Sequence, residues 1–569
     1  MPVKPNHPFA ALILGFAAAM SGQSSMAEPS AGDYLAARHA SYMSDYKAGS
    51  QYYTKALLSD PANPALLENA LISFVGLGDF SRAIPVARKM DSDGLVSQIS
   101  RMVMVVAMAK ADDYDGLIAK LDKGETVGPL IDGLIAAWSE LGRGNKPAAM
   151  AAFDEVIQSK GMGSFGLYHK AMALASLGDF EEADKIFAGD ASGPIRITIG
   201  GVLAHVEVLS QLGRNTEGLE ILTRVFGDEP DPRVAQLRDA LKAGEKVPFS
   251  LVHDAHEGMA EVFFSVASAL KGETDDGYTL IYSRMAEQLN PNHIDAILLS
   301  ADMLERLERY DLATDTYNRV PHKDPSFFAA EQGRATAMRK AGKEEAALEV
   351  LQQLAKSHGD LPSVHSALGD AFRQQKQYED AVSAYDRAVE LSGKPTPDDW
   401  FLYYARGIAL ERVDDWDKAE ADFRLALELN PNQPQVLNYL GYSLLEHNIK
   451  LDEALKMIER AVMAQPNDGY ITDSLGWALF RLGKYDDAMK YMQRAAELTP
   501  VDPIVTDHLG DALWAVGRKL EARFQWRRAL SYEPEPKEVI RIRHKLEVGL
   551  DAVLEDEGAD PIPVAANGD

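Results

Sequence analysis

Two copies of one pattern, set end to end between Gly469 and Pro534, constrain this chain more than any other feature of it. The first copy places Leu475-Gly476, Leu479, Ala488, Ala495 and Pro500, and the second places Leu509-Gly510, Leu513, Ala522, Ala529 and Pro534. Each element returns after about 34 residues, the period of a helix-turn-helix repeat. Short residues at the Gly and Ala slots let two helices approach closely, large apolar residues fill the gaps, and the proline closes the second helix. One such unit cannot bury its apolar face alone, so the pattern demands stacked neighbours.

The rest of the chain supplies them. Tyr53, Ala56 and Pro61 match the last slots of an early copy, and Asn63-Pro64 reads as an N-cap followed by proline at the first helical position. Degenerate units run around Met102 to Leu121 and from Leu130 to Ile157, and Leu174, Gly178, Phe180, Ala183 and Phe187 restore the pattern. Pro230-Asp231-Pro232 interrupts it. A short helix over 234–242 and an extended connector over 244–252 are expected there, so a boundary between two arrays falls at this point. Leu368-Gly369, Phe372, Ala381, Tyr385 and Ala388, then Gly407, Trp416, Ala419 and Phe423, then Leu440-Gly441, Ala454, Ala461 and Pro466 carry the pattern forward.

The order Leu-Gly, large residue, Ala, aromatic, Ala, Pro resembles the tetratricopeptide repeat. The resemblance implies an all-α fold, a right-handed superhelical solenoid of about fourteen helix-turn-helix repeats in two arrays. The expected organisation is an N-terminal array over 28–231, a connector over 232–258 and a C-terminal array over 259–535. A charged amphipathic helix over 536–552, with Ile540, Ile542, Leu546 and Leu550 apolar, is expected to cap the last apolar face. Residues 553–569, with Glu555-Asp556-Glu557, read as an acidic, disordered tail.

At 569 residues the chain is too long for one ordinary core, which a repeat array avoids by burying each unit against its neighbours. A net charge of −28 argues against a nucleic-acid partner. The absence of cysteine excludes disulfides, thiolate metal sites and cysteine nucleophiles, and leaves no residue for a lipid anchor. Lys4, the apolar run Phe9 to Ala19 and the small-x-small triplet Ser25-Met26-Ala27 form an export signal over 1–27, with Glu28 beginning the mature chain. The apolar run is too short to span a membrane, so a periplasmic protein with no transmembrane segment after cleavage is expected.

Catalytic motifs are scarce. Gly161-Met162-Gly163-Ser164-Phe165-Gly166 matches a dinucleotide fingerprint by letters but follows a helix, so it reads as a helix-to-helix turn. His253 and His256 share a face if a helix has begun there, but two imidazoles are only part of a metal site, and they read as exposed. No nucleophile elbow or phosphate-cradling loop occurs. The reading is non-catalytic, with no cofactor and no metal.

Two surface features rise above this background. On the first helix of each late repeat, Tyr404, Asn438, Tyr442, Asp473, Trp477, Phe480, Asp507, Asp511 and Trp514 fall within one narrow arc at 3.6 residues per turn. In the repeat family that arc lines a concave groove, which implies an aromatic floor with acidic edges, suited to a basic or amide-rich protein or peptide segment. The other reading of these aromatics is packing between repeats. The second feature is a basic cluster of Arg518, Lys519, Arg523, Arg527, Arg528, Arg541, Arg543 and Lys545, a patch for an anionic partner or a solvated face. The chain is also similar to exported bacterial tetratricopeptide proteins, among them adaptors of carboxy-terminal processing proteases and scaffolds of peptidoglycan hydrolases. That resemblance implies a protein-binding scaffold of the envelope, and a component of a polysaccharide export or assembly system is the alternative.

Overall fold

The computed structural model describes residues 31–189, 198–227 and 231–558. The expected export signal lies outside the described residues, as does the expected tail from 559 onward. Among the described residues there are thirty-one α-helices, one 3-10 turn and no strand.

The local rules of the sequence explain the helix ends. The Asn63 side chain accepts from the backbone N–H groups of Ala65 and Leu66, with Pro64 opening the helix, and Asp502 does the same for Ile504 and Val505 ahead of Pro503. Gly483 and Gly517, at φ 73° and 85°, turn the chain from the first helix of a pair into the second.

The repeat signature is one contact seen from both sides. A Cβ added at Gly369, Gly407, Gly441, Gly476 or Gly510 would come within 2.6, 2.7, 2.8, 2.6 or 2.5 Å of Tyr385, Phe423, Ile458, Met492 or Trp526. Each of those large residues is the aromatic-slot residue of the same repeat, so glycine in the first helix and a bulky residue in the second are required together. The alanine slots Ala488, Ala495, Ala522 and Ala529 are fully buried.

The chain divides into two compact units between Leu354 and Ala355. The sequence boundary at 232–258 therefore lies inside the first unit. There the expected short helix forms as Pro232–Lys242, followed by a stretch without helix up to the helix Ala255–Leu270. That helix packs back against the earlier helices Pro129–Gly142 and Gly163–Ser176, and its successor Asp276–Leu289 packs against Pro64–Gly76 and Gln98–Ala109. These four are first helices of successive pairs, the face on which a groove in this unit would lie. Every residue from Gly258 to Ala267 is buried, so the middle of Ala255–Leu270 is a plug covered on all sides. A Cβ on Gly258 would meet the Trp138 ring at 2.3 Å, so only glycine permits this approach.

Polar groups fix the plug in register. The Tyr168 hydroxyl donates to Glu261 at 2.7 Å, and His293 bonds the other Glu261 oxygen at 2.9 Å. Burial opposes a charge on His293, but the Glu261 hydrogen bond and charge outweigh it and raise its pKa. Trp138 donates to His169 at 3.3 Å, and His169 bonds Ser265 at 3.1 Å. Burial alone pushes His169 down to about 3, so it is a neutral member of the network.

In the second unit, the expected capping helix is two helices, Pro536–Val548 and Leu550–Asp556, separated at Gly549 with φ 89°. The expectation of a solvated tail from 553 is corrected here: residues 553–556 are helical and Val553 is only 2% exposed, because it packs into the end of the array.

Candidate partner groove

The helices Trp400–Arg412, Pro434–Glu446, Gly469–Arg481 and Pro503–Ala515 open successive pairs of the second unit. The helix Pro536–Val548 continues the register, so that Arg541 and Lys545 stand 34 residues past Asp507 and Asp511. A trough of about 1220 Å³ lies on this face, lined among others by Tyr442, Trp477, Phe480, His508, Ile504 and Ile542. Glu446, Arg412, Arg481, Asp507, Lys537, Glu538, Arg541 and Glu557 supply its charges.

Trp477 builds the floor. Its ring stacks on Phe480 at 5.2 Å and 6° and on His508 at 4.3 Å and 12°, and its indole N–H donates to Glu446 at 2.8 Å. His508 Nδ1 bonds Asp473 at 2.7 Å. Burial disfavours the imidazolium, but Asp473, with Asp507 and Asp511 behind it, raises the His508 pKa. Burial, with Glu446 and Asp473 nearby, raises the Tyr442 hydroxyl far above its ordinary value.

The far end of the stripe is locked rather than open. The fully buried Lys545 ammonium lies 2.6 Å from both oxygens of Asp507 and 2.7 Å from Asp511. Arg541 adds longer contacts of 3.9 and 3.6 Å to the same carboxylates. Trp514 donates to Asp551 at 2.9 Å, packs 5.2 Å from Trp526, and lies where a Cβ on Gly549 would clash at 2.5 Å.

Of the expected groove residues, Tyr442, Trp477, Phe480 and Asp507 line the trough. Tyr404 packs among Trp400, Phe423 and Tyr439. Asn438 and Asp473 do not line it, and each keeps one buried oxygen without a hydrogen-bond partner. Trp514 and Asp511 are corrected to packing and lock residues, because the C-terminal helices cover them. The expected acidic edge is corrected too, since Asp473, Asp507 and Asp511 are each held by a basic group of the same chain.

The basic cluster does not form one patch. Lys545 is buried, Arg518 pairs with Glu521, and Lys519 pairs with Asp551. Arg523 donates to the Leu546 carbonyl, and Arg528 donates to Tyr532 and to the Pro500 carbonyl. Arg541 pairs with Glu557, while Arg527 and Arg543 are exposed. The two histidines singled out by sequence separate: His256 bonds the Ala109 carbonyl at 2.6 Å and His253 bonds Glu257 at 2.7 Å. Sequence reasoning missed His508, Glu446 and Asp551 as partners of the stripe. The 34-residue register from Trp477 through Asp511 to Lys545 was the available signal for the lock.

Residues 333–398 match the family described as tetratricopeptide repeat, and residues 400–433 and 473–500 match a second description of the same name. A tetratricopeptide repeat-containing protein of Pseudomonas aeruginosa is 30% identical over 177 residues, covering 30% of this chain and 28% of that protein. Tetratricopeptide repeat protein 13 of Homo sapiens is 27% identical over 158 residues, covering 27% of this chain and 18% of that protein. The chain thus spans well under half the length of the curated relatives it matches. Among solved structures, a chain of the APC/C hetero-tetramer Cut9–Hcn1 aligns at a TM-score of 0.42 and 15% identity, over 92% of this chain and 98% of that one.

Proposed function

We propose that this chain, whose residues 333–398, 400–433 and 473–500 match the tetratricopeptide repeat, is a non-catalytic scaffold holding a segment of a partner protein in the trough of its second unit. One observation carries the proposal: an open trough of about 1220 Å³ whose floor is the Tyr442, Trp477 and Phe480 side chains on successive first helices. Trp477 and Phe480 are only 9% and 6% exposed and belong to the core of the unit, so they shape a rigid floor, while the half-buried Tyr442 and the exposed Ile504 offer the contact area. The first unit favours the same assignment, since its corresponding face is filled by the helix Ala255–Leu270.

The export signal over 1–27 supports a periplasmic site of action, and N-terminal sequencing of the exported protein should begin at Glu28. Material starting at Met1 would overturn that location. The similarity to adaptors of envelope proteases and scaffolds of peptidoglycan hydrolases makes those enzymes the partner classes to seek.

The trough is tested with Ile504→Asp, because Ile504 lines it while remaining 51% exposed and outside the packed core. The variant should melt as the wild type does and lose the partners that wild-type protein retains in affinity purification with mass spectrometry. Retention of the same partners at the same yield would sink the proposal.

A further inference from the structure

We infer that the segment the trough takes is an apolar helix carrying carboxylates, one of which meets Arg412. This rests on the trough being the partner site, and adds its chemistry.

Most charges of the trough are already paired within the chain. The sequence stripe looks acidic, but His508 takes Asp473, and Lys545 takes Asp507 and Asp511. Glu446 accepts from Trp477 and from Arg481 at 3.3 Å, Glu557 accepts from Arg541 at 2.7 Å, and Glu538 lies 3.7 Å from Lys537. Among the charged side chains lining the trough, Arg412 alone has no ion pair with any described residue, and it is exposed. The Tyr442 hydroxyl, also in the trough, has no hydrogen-bond partner among the described residues. A basic segment would find every carboxylate occupied and would meet Arg412 as a like charge, while an acidic one completes the set.

One helix of the chain itself is already seated beside the trough. The helix Leu550–Asp556 turns back at Gly549 and lies on Trp514, the residue at the register position of Phe480 one repeat on. It buries Leu550 and Val553, and Leu554 reaches the trough itself. Three acids face outward from that apolar edge onto donors: Asp551 onto the Trp514 indole N–H and Lys519, Asp556 onto His544, and Glu557, just past its end, onto Arg541. Another indole–carboxylate pair lies in the trough itself, where Glu446 accepts from the Trp477 indole. This face therefore already binds one short helix of alternating apolar and acidic character, and the trough continues from its edge with an aromatic floor and the Arg412 guanidinium, which has no ion pair among the described residues.

The test uses the full chain and a defined probe, a fluorescein-labelled peptide of two tandem copies of the 550–557 sequence, LDAVLEDE. Its companion has every Asp and Glu replaced by Lys. Fluorescence anisotropy should show saturable binding of the acidic probe and binding of its companion at least about tenfold weaker. Arg412→Glu, an exposed change, should weaken the acidic probe about tenfold and narrow the gap between the two, whereas Phe524→Ala on the outer helix Lys519–Leu530 should change neither. No binding of the acidic probe, equal binding of both, or indifference to Arg412→Glu overturns the inference. If Ile504→Asp abolishes capture of natural partners while the two probes bind alike, the trough survives and only its proposed chemistry fails. If Ile504→Asp spares capture, the trough reading itself fails.

Discussion

Lys545→Met should weaken the second unit by about 3 kcal/mol at neutral pH, the low end of the cost of removing one partner from a buried ion pair. The ammonium it deletes is fully buried and touches three carboxylate oxygens at 2.6, 2.6 and 2.7 Å. What stays behind is Asp507 facing Asp511, with the Trp526 indole N–H donating to Asp511 at 2.8 Å and Arg541 only at 3.9 and 3.6 Å. Arg541, and a proton taken up by one acid, keep the loss at that low end. Burial first, and the neighbouring Asp511 second, already push Asp507 up to about 6 from an ordinary 3.8. A carboxyl raised on folding binds its proton more tightly in the folded state, so its contribution falls as pH rises from 3.8 to about 6. Without Lys545 the charged form loses its main counter-ion, the pKa climbs further, and the variant should regain much of its deficit by pH 5. Urea unfolding followed by tryptophan fluorescence measures this, because Trp526 lies beneath the lysine at 5.5 Å and Trp514 beside Trp526. Adding Asp511→Leu to Lys545→Met should restore part of the loss by removing one stranded charge. A deficit below about 1 kcal/mol, or one unchanged between pH 7 and pH 5, would refute the lock.

The His508–Asp473 pair makes a second pH-dependent contribution. His508 is raised above its ordinary 6.5, so the stabilisation is full below 6.5 and is lost as pH rises through the higher folded value. Thermal melts of the wild type should therefore fall as pH rises above 6.5, and Asp473→Asn should flatten that slope; an equally steep slope in the variant would count against the pair. Gly258→Val should force the plug off Trp138, where even a Cβ stands at 2.3 Å, and cost about 2 kcal/mol or more. Hydrogen exchange should quicken in Gln98–Ala109 and Pro129–Gly142 of that variant, and unchanged protection there would contradict the plug. In the wild type those helices should exchange slowly, although the degeneracy of their repeats taken alone suggests the opposite.

The repeats were legible because each slot records a local contact. Gly476 against Met492 and Gly510 against Trp526 lie within one helical pair, so spacing alone reports them. The plug was not legible by period, because Gly258 meets Trp138 and Glu261 meets Tyr168 across long stretches of chain. Its one local sign was the run GMAEVFFSVA, apolar around the helix apart from Glu261 and Ser265, and buried throughout. In the trough, helical phase placed Tyr442, Trp477 and Phe480 on one face, but phase does not say what covers a face. The helix Leu550–Asp556 closes over Trp514, and Lys545, which by composition belongs to a surface basic cluster, is the most buried cation of the second unit. Charge signs read from a stripe fail for the same reason, since the counter-ions of Asp473 and Asp507 come from neighbouring repeats.

The trough as the seat of partner binding is tested most directly by site-specific photo-crosslinking in cells. A photoreactive residue at Ile504, on the trough, is compared with one at Phe524, which is 57% exposed on the outer helix of the last pair. The expected result is a discrete cross-linked partner from position 504 that is absent from position 524 and disappears when Arg412→Glu and Tyr442→Ala are added. Cross-links of equal yield from both positions, or a product at 504 that survives those two substitutions, would contradict it.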